Sequence, residues 1–245
     1  MKVIIFLFSL FFGVSMYAMD ADLIIKKVEN NLNGKTADIT MSMIVHTKRS
    51  KRTINMQSLS IGNDKSFIKI LYPKKDYGIT FLKIDNKMWQ YVPRIERIIK
   101  IPSSMMLQSW MGSDFSNDDL VKESSISDDY NSKLKDENKK DFIVELKPKE
   151  DAAVVWGRIV MNISKEYYLP VSVEYYDEDD ILIRVLNYSD IKKFKDKFYP
   201  TYWELTPKTE DKKGHKTIMK IQSAAFDEDI DPSYFTKRAL KRYSR

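Results

Sequence analysis

The chain has 245 residues, of which 43% are hydrophobic and 31% charged, with a formal net charge of +6, a balance typical of a globular protein able to bury a core. Only seven glycines and no G-x-G-x-x-G or Walker-type pattern argue against a dinucleotide- or phosphate-cradling loop, and the basic residues are spread rather than gathered into a nucleic-acid-binding tract. The absence of cysteine excludes a disulfide framework and also the acylated cysteine that follows a bacterial lipoprotein signal.

Residues 1–18 read as a signal peptide: Lys2 supplies the positive start, residues 3–14 are apolar, and Ala18 is a small residue suited to cleavage. Met16 is larger than the residue usual three positions before a cleavage site, so an uncleaved anchor is the alternative. Either way residues 19–245 are exported, and they are expected to form one domain. Asp20 or Asp22 can cap a first helix, in which Ala21, Ile24, Ile25, Val28 and Leu32 recur at helical spacing before Gly34 ends it.

From Thr36 the period changes to two, with Ala37, Ile39, Met41, Met43 and Val45 on one face of a strand. Further strands are predicted at 53–61, 66–72, 79–84, 88–92 and 97–101, separated by turns such as Gly62-Asn63-Asp64. Pro102 can start a short helix over 103–111 that offers Met106, Leu107, Trp110 and Met111 on adjoining rows. Such a face is either plain core or an adaptable surface for apolar ligands, which flexible thioethers suit. In the following Gly-Ser-Asp-Phe run, Ser116 and Asp119 have capping-box spacing, which accounts for the acids more cheaply than a catalytic pair or a metal site. Arg94, Arg97 and Lys100 either line a cavity rim or solvate a sheet edge.

Residues 124–140 are polar and read as a long hairpin loop in preference to a domain boundary. Strands resume at 142–146, 154–163, 171–176, 181–188, 194–199, 202–206 and 217–224. A last helix starts at Asp231-Pro232 and turns Phe235, Ala239 and Leu240 inward. The fold class is therefore mainly β with a few helices. Its sheet is antiparallel and large enough that it must curl or close, and the helices are the natural plug for its concave side.

The run Met88-Trp89-Gln90-Tyr91-Val92-Pro93, with Arg94, Arg97, Ile101, Met105, Met106 and then Trp110-Met111-Gly112-Ser113-Asp114-Phe115 and Asp119-Leu120, resembles the signature of the outer-membrane lipoprotein-sorting, LolA-like family. The Gly-Ser-Asp-Phe block resembles the branch associated with resistance-nodulation-type lipid exporters. The resemblance implies an incomplete antiparallel barrel whose helices cover an apolar cavity, and a periplasmic carrier or chaperone of lipoproteins or other lipids. It implies an inner-membrane exporter and an outer-membrane acceptor as partners, no cofactor, no metal, no catalytic residue and a monomer. The expected cavity residues are Met41, Met43, Phe67, Phe81, Trp89, Tyr91, Met106, Leu107, Trp110 and Met111, with Arg94 and Arg97 at the rim or lid. The alternative is an exporter adaptor that carries no cargo.

Overall fold

The computed structural model describes residues 20–122 and 126–245, so the expected signal peptide lies outside the described residues. Helix α1 (Ala21–Asn33) is capped by Asp20, whose side chain accepts from the Asp22 N–H at 3.0 Å, and it ends where Gly34 takes φ 64° and donates to the Asn30 carbonyl. Both ends fall where the sequence placed them.

Thirteen strands follow: β1 (Thr36–His46), β2 (Lys51–Ile61), β3 (Lys65–Tyr72), β4 (Thr80–Ile84), β5 (Lys87–Val92), β6 (Arg97–Lys100), β7 (Tyr130–Glu137), β8 (Asp141–Pro148), β9 (Arg158–Ser164), β10 (Pro170–Tyr176), β11 (Leu182–Phe194), β12 (Lys197–Pro207) and β13 (Lys216–Phe226). They form one sheet in the order β6-β5-β4-β3-β2-β1-β13-β12-β11-β10-β9-β8-β7, every neighbouring pair antiparallel. The sheet is an open half-barrel, mainly β, and ends at β6 and β7. It consists of two meanders, β1 to β6 and β7 to β13, zipped together where β1 meets β13. Among the described residues the remaining α-helices are short, α2 (Asp119–Lys122), α3 (Ile126–Asp129) and α4 (Lys237–Arg242). No helix of the described residues is long and apolar enough to cross a membrane.

Three expectations need correction. The polar segment expected as a hairpin loop is largely α3, which buries Ile126, and edge strand β7, which buries only Tyr130. An edge strand needs no second apolar face, and charged residues there discourage pairing with other chains. The break expected between residues 199 and 202 does not occur: Lys195 and Asp196 make the turn, and β12 runs through Pro200. Finally, the C-terminal helix does not plug the same side as α1.

The core explains that difference. An inner cluster joins α1, alternate residues of the whole sheet and the central segment, including Ile24, Met43, Ile70, Trp110 and Leu205. A separate outer cluster joins Leu59, Phe67, Leu82, Trp89 and Tyr91 to Phe235, Ala239 and Leu240 of the C-terminal segment. Strands β3 to β5 are therefore buried on both faces, one under the central segment and the other under α4.

Candidate functional site

The inner face carries a cavity. About 190 Å³ of space lies beneath Ile25, Val28 and Leu32 of α1, beside Leu120, and above Tyr188, Tyr199 and Trp203 of the sheet. A neighbouring space of about 180 Å³ shares Leu32, Leu120, Tyr199 and Trp203 with it and continues toward Ile39, Met41 and Ile68. The lining of the first space is mostly aliphatic and aromatic, the composition of a pocket for an apolar ligand, whereas the second also takes in polar residues at its far end, among them Ser60, Ser66 and Lys83.

The roof over the inner face is the central segment, residues 101–122, and it is not the helix expected over 103–111. Ser103–Met105 and Trp110–Gly112 are single 3-10 turns, with Met111 at φ 50° and Gly112 at φ 64°. Two successive residues in the left-handed region cannot continue a right-handed helix. The Trp110 N–H instead donates to the Phe115 carbonyl at 2.7 Å, closing a tight loop. Trp110 is only 2% exposed and sets its ring edge-on to Phe81, with centroids 5.4 Å apart.

Side chains of three strands hold this loop down. From β2, Arg52 donates to the Met111 carbonyl, and a methyl group added at Gly112 would come within 2.6 Å of the Arg52 guanidinium. From β13, buried Thr217 donates to Asp114 Oδ2 at 2.8 Å and accepts from the Asp114 N–H at 3.0 Å. From β11, Arg184 donates to both oxygens of Asp119, Nη1 to Oδ2 at 2.7 Å and Nη2 to Oδ1 at 2.5 Å. Both members of that pair are buried, and the guanidinium lies between Trp156 and Tyr175, 4.4 Å and 4.3 Å from their ring centroids. Asp119 also accepts from the Ser116 N–H while its own N–H donates to Ser116 Oγ, which is the expected capping box.

The second support of the roof is α1 against α3. Glu29, on α1 and lining the larger cavity, accepts from the Ser127 N–H at 2.8 Å and from Ser127 Oγ at 2.6 Å. Burial pushes its carboxyl above the usual value in spite of these hydrogen bonds.

Of the expected cavity residues, the fold brings Met41, Met43, Phe81 and Trp110 into the inner cluster, with Met106 and Met111 packed against it. Met41 alone of these also lines a cavity described above. Phe67, Trp89 and Tyr91 belong to the outer cluster, because on strands buried on both sides each apolar side chain has an apolar neighbour pointing the other way. Leu107 is 64% exposed and lines a separate groove with Phe115, Trp156 and Arg184. Arg94 and Arg97 are exposed beside and on edge strand β6, and the roof contacts belong to Arg52 and Arg184. Leu120, Tyr188, Tyr199 and Trp203 were not singled out from the sequence; their signal was the period-two pattern of the C-terminal strands, read for fold and not for lining. Asp114 and Asp119 are taken up by Thr217 and Arg184, which leaves them structural work to do.

A family model described as "uncharacterized protein" matches residues 62–242. No curated protein matches the chain. Among solved structures, it is similar to an outer-membrane lipoprotein-sorting protein domain from Vibrio parahaemolyticus, at 23% identity over 91% of this chain and 98% of that one, with a TM-score of 0.77. A DUF1329-family protein from Desulfovibrio piger is 22% identical over 90% of this chain and 97% of that one, with a TM-score of 0.81. A LolA-superfamily protein from Nitrosomonas europaea is 17% identical over 91% of this chain and the whole of that one, with a TM-score of 0.75.

Proposed function

The chain belongs to the family of uncharacterized proteins whose model spans residues 62–242, and it is LolA-like in fold; from that premise we propose that it is a periplasmic carrier, or chaperone, for acyl chains of lipoproteins or other lipids. The observation that carries this reading is the apolar cavity roofed by a segment held through side-chain hydrogen bonds and ion pairs, not through sheet pairing. A roof so attached can lift without unzipping a strand. Each methylene taken from water contributes about 0.8 kcal/mol, so an acyl chain gains enough in such a cavity to cross an aqueous compartment and still leave it for a membrane. At about 190 Å³ the space is smaller than typical ligand pockets of roughly 300–1,000 Å³. Loading therefore requires Leu120 and the roof to move outward.

On this reading the polypeptide is exported through residues 1–18, works as a non-enzymatic monomer of residues 19–245, and passes cargo from an inner-membrane exporter toward an outer-membrane acceptor. Mass spectrometry of lipids extracted from the purified exported protein, together with uptake of a fluorescent acyl probe, tests it. Co-purifying lipid and saturable uptake are expected; neither lipid nor uptake would sink the reading.

A cargo-free adaptor of an exporter is the second reading, and the exposed Ile95, Ile98, Ile99 and Leu107 favour it. Ile98→Asp with Leu107→Asp separates the two: an adaptor loses exporter binding, whereas a carrier retains probe uptake.

A further inference from the structure

The inner faces of the first four strands align row by row, and their polarity changes from one row to the next. Met41, Met56 and Ile70 stand side by side across β1, β2 and β3. The adjacent row joins Ile39, Ser58, Ile68 and Phe81, and the one beyond it Ala37, Ser60, Ser66 and Lys83. A face that is apolar in the middle of the sheet but for Ser58 thus ends, under the C-terminal end of α1, in two hydroxyls and an ammonium. All three polar residues of that row line the 180 Å³ space into which Ile39, Met41 and Ile68 also project.

Lys83 is the unusual member. It is only 6% exposed, and its Nζ donates to the Asn63 carbonyl at 2.6 Å. Burial of an ammonium costs free energy that a threonine or glutamine at the same place would avoid. That desolvation pulls its pKa down to about 8 against the opposing pull of Asp64 and Asp85, so at neutral pH it still carries its charge. The two carboxylates sit on exposed turns flanking β3 and β4, where solvent screens them more than it screens the lysine.

We propose that Ser60, Ser66 and Lys83 receive the anionic head of an amphiphile, a carboxylate or a phosphate monoester, while its acyl tail lies along Ile39, Met41 and Ile68 toward Leu120. The proposal rests on the carrier reading and names its ligand class. The ammonium and the two hydroxyls supply three donors at one end of an apolar trough, which orients the chain head-outward and discriminates against neutral lipids of equal length. Charge-assisted hydrogen bonds in a desolvated site are strong enough to set that preference.

Equilibrium binding of the exported protein at pH 7 to palmitate, lysophosphatidic acid and methyl palmitate tests the proposal. At least one anionic probe is expected to bind about tenfold or more tightly than the ester. Lys83→Met should erase that ratio with ester affinity unchanged, and Lys83→Arg should keep most of it. The two anionic arms distinguish a carboxylate head from a phosphate head. Equal affinity for all three probes in the wild type, or a ratio that survives in Lys83→Met, overturns the proposal, as does competition by acetate or inorganic phosphate alone, which would mark a free-anion site. Ester binding without preference defeats only this inference, whereas no binding of any probe defeats the carrier reading as well. The wild-type contrast between acid and ester stands even if a variant fails to fold.

Discussion

The Arg184–Asp119 pair ties β11 to the start of α2 inside a dry site, with Trp156 and Tyr175 against the guanidinium. Removing one member leaves the other charge buried without its partner, a loss of about 3–5 kcal/mol. Asp119→Asn, which keeps the shape and one cap acceptor, should lower the urea midpoint accordingly. Replacing both members by apolar residues should recover part of the loss, and full additivity of the single losses would show that the two side chains do not interact. Glu29 gives a pH signature instead. Its folded-state pKa is raised by burial, so the folded protein binds the proton more tightly than the unfolded chain does. That contribution to stability is present below the unfolded value near 4.5 and is lost as pH rises through the folded value. The thermal midpoint of Glu29→Gln relative to wild type should therefore rise between pH 4.5 and 7.5, and a flat difference would contradict the assignment. At this scale the capping box of Ser116 and Asp119 was legible, because three-residue spacing is local. Arg184 was not, since its partner is 65 positions away. Arg52 went unnoticed for the same reason, while Arg94 and Arg97 drew notice only by being near the segment in sequence.

Element by element, α1 was legible to its caps, but the face that α4 covers was not. Alternation tells which residues share a face, and on β3 to β5 both alternating sets are apolar, as Phe67 and Ile68, Phe81 and Leu82, and Met88 and Trp89 show. Only the position of the covering helix decides between inside and outside. Leu240→Ala should consequently cost about 2–5 kcal/mol, read by denaturant unfolding, and leave acyl-probe uptake unchanged because the outer cluster does not touch the cavity. Arg52→Met should do the reverse: a small change in thermal midpoint, faster probe uptake, and faster amide exchange in residues 105–118. Unchanged uptake kinetics would remove Arg52 from the roof's attachment. The helix expected at 103–111 failed because Met and Trp spacing fits a compact loop as well as a helix, and the residues that break it, Met111 and Gly112, do so through backbone conformation.

At the scale of the molecule, a single antiparallel sheet with few helices followed from the succession of period-two segments and short turns, but its edges did not. β7 was read as a loop because an edge strand can be polar throughout, and here its exposed Lys133 and Lys135 guard an unpaired ladder. Replacing both by isoleucine should produce concentration-dependent association in sedimentation velocity beyond that of the wild type; a variant that associates no more than the wild type would show that the charges are not what protects that edge. The pairing of β1 with β13 has a further consequence for biogenesis. It joins residues 36–46 to residues 216–226, so nearly the whole polypeptide must emerge before the middle of the sheet can close, and the loop that closes is the longest in the fold. Until then β1 has one bare side, with Met41 and Met43 open to water. Pulse-labelled hydrogen exchange during refolding should find the amides that bond across the β1–β13 pairing protected last, which makes the geometric centre of the sheet the final piece of the newborn chain to be sealed and the stretch that escort factors have most time to grip.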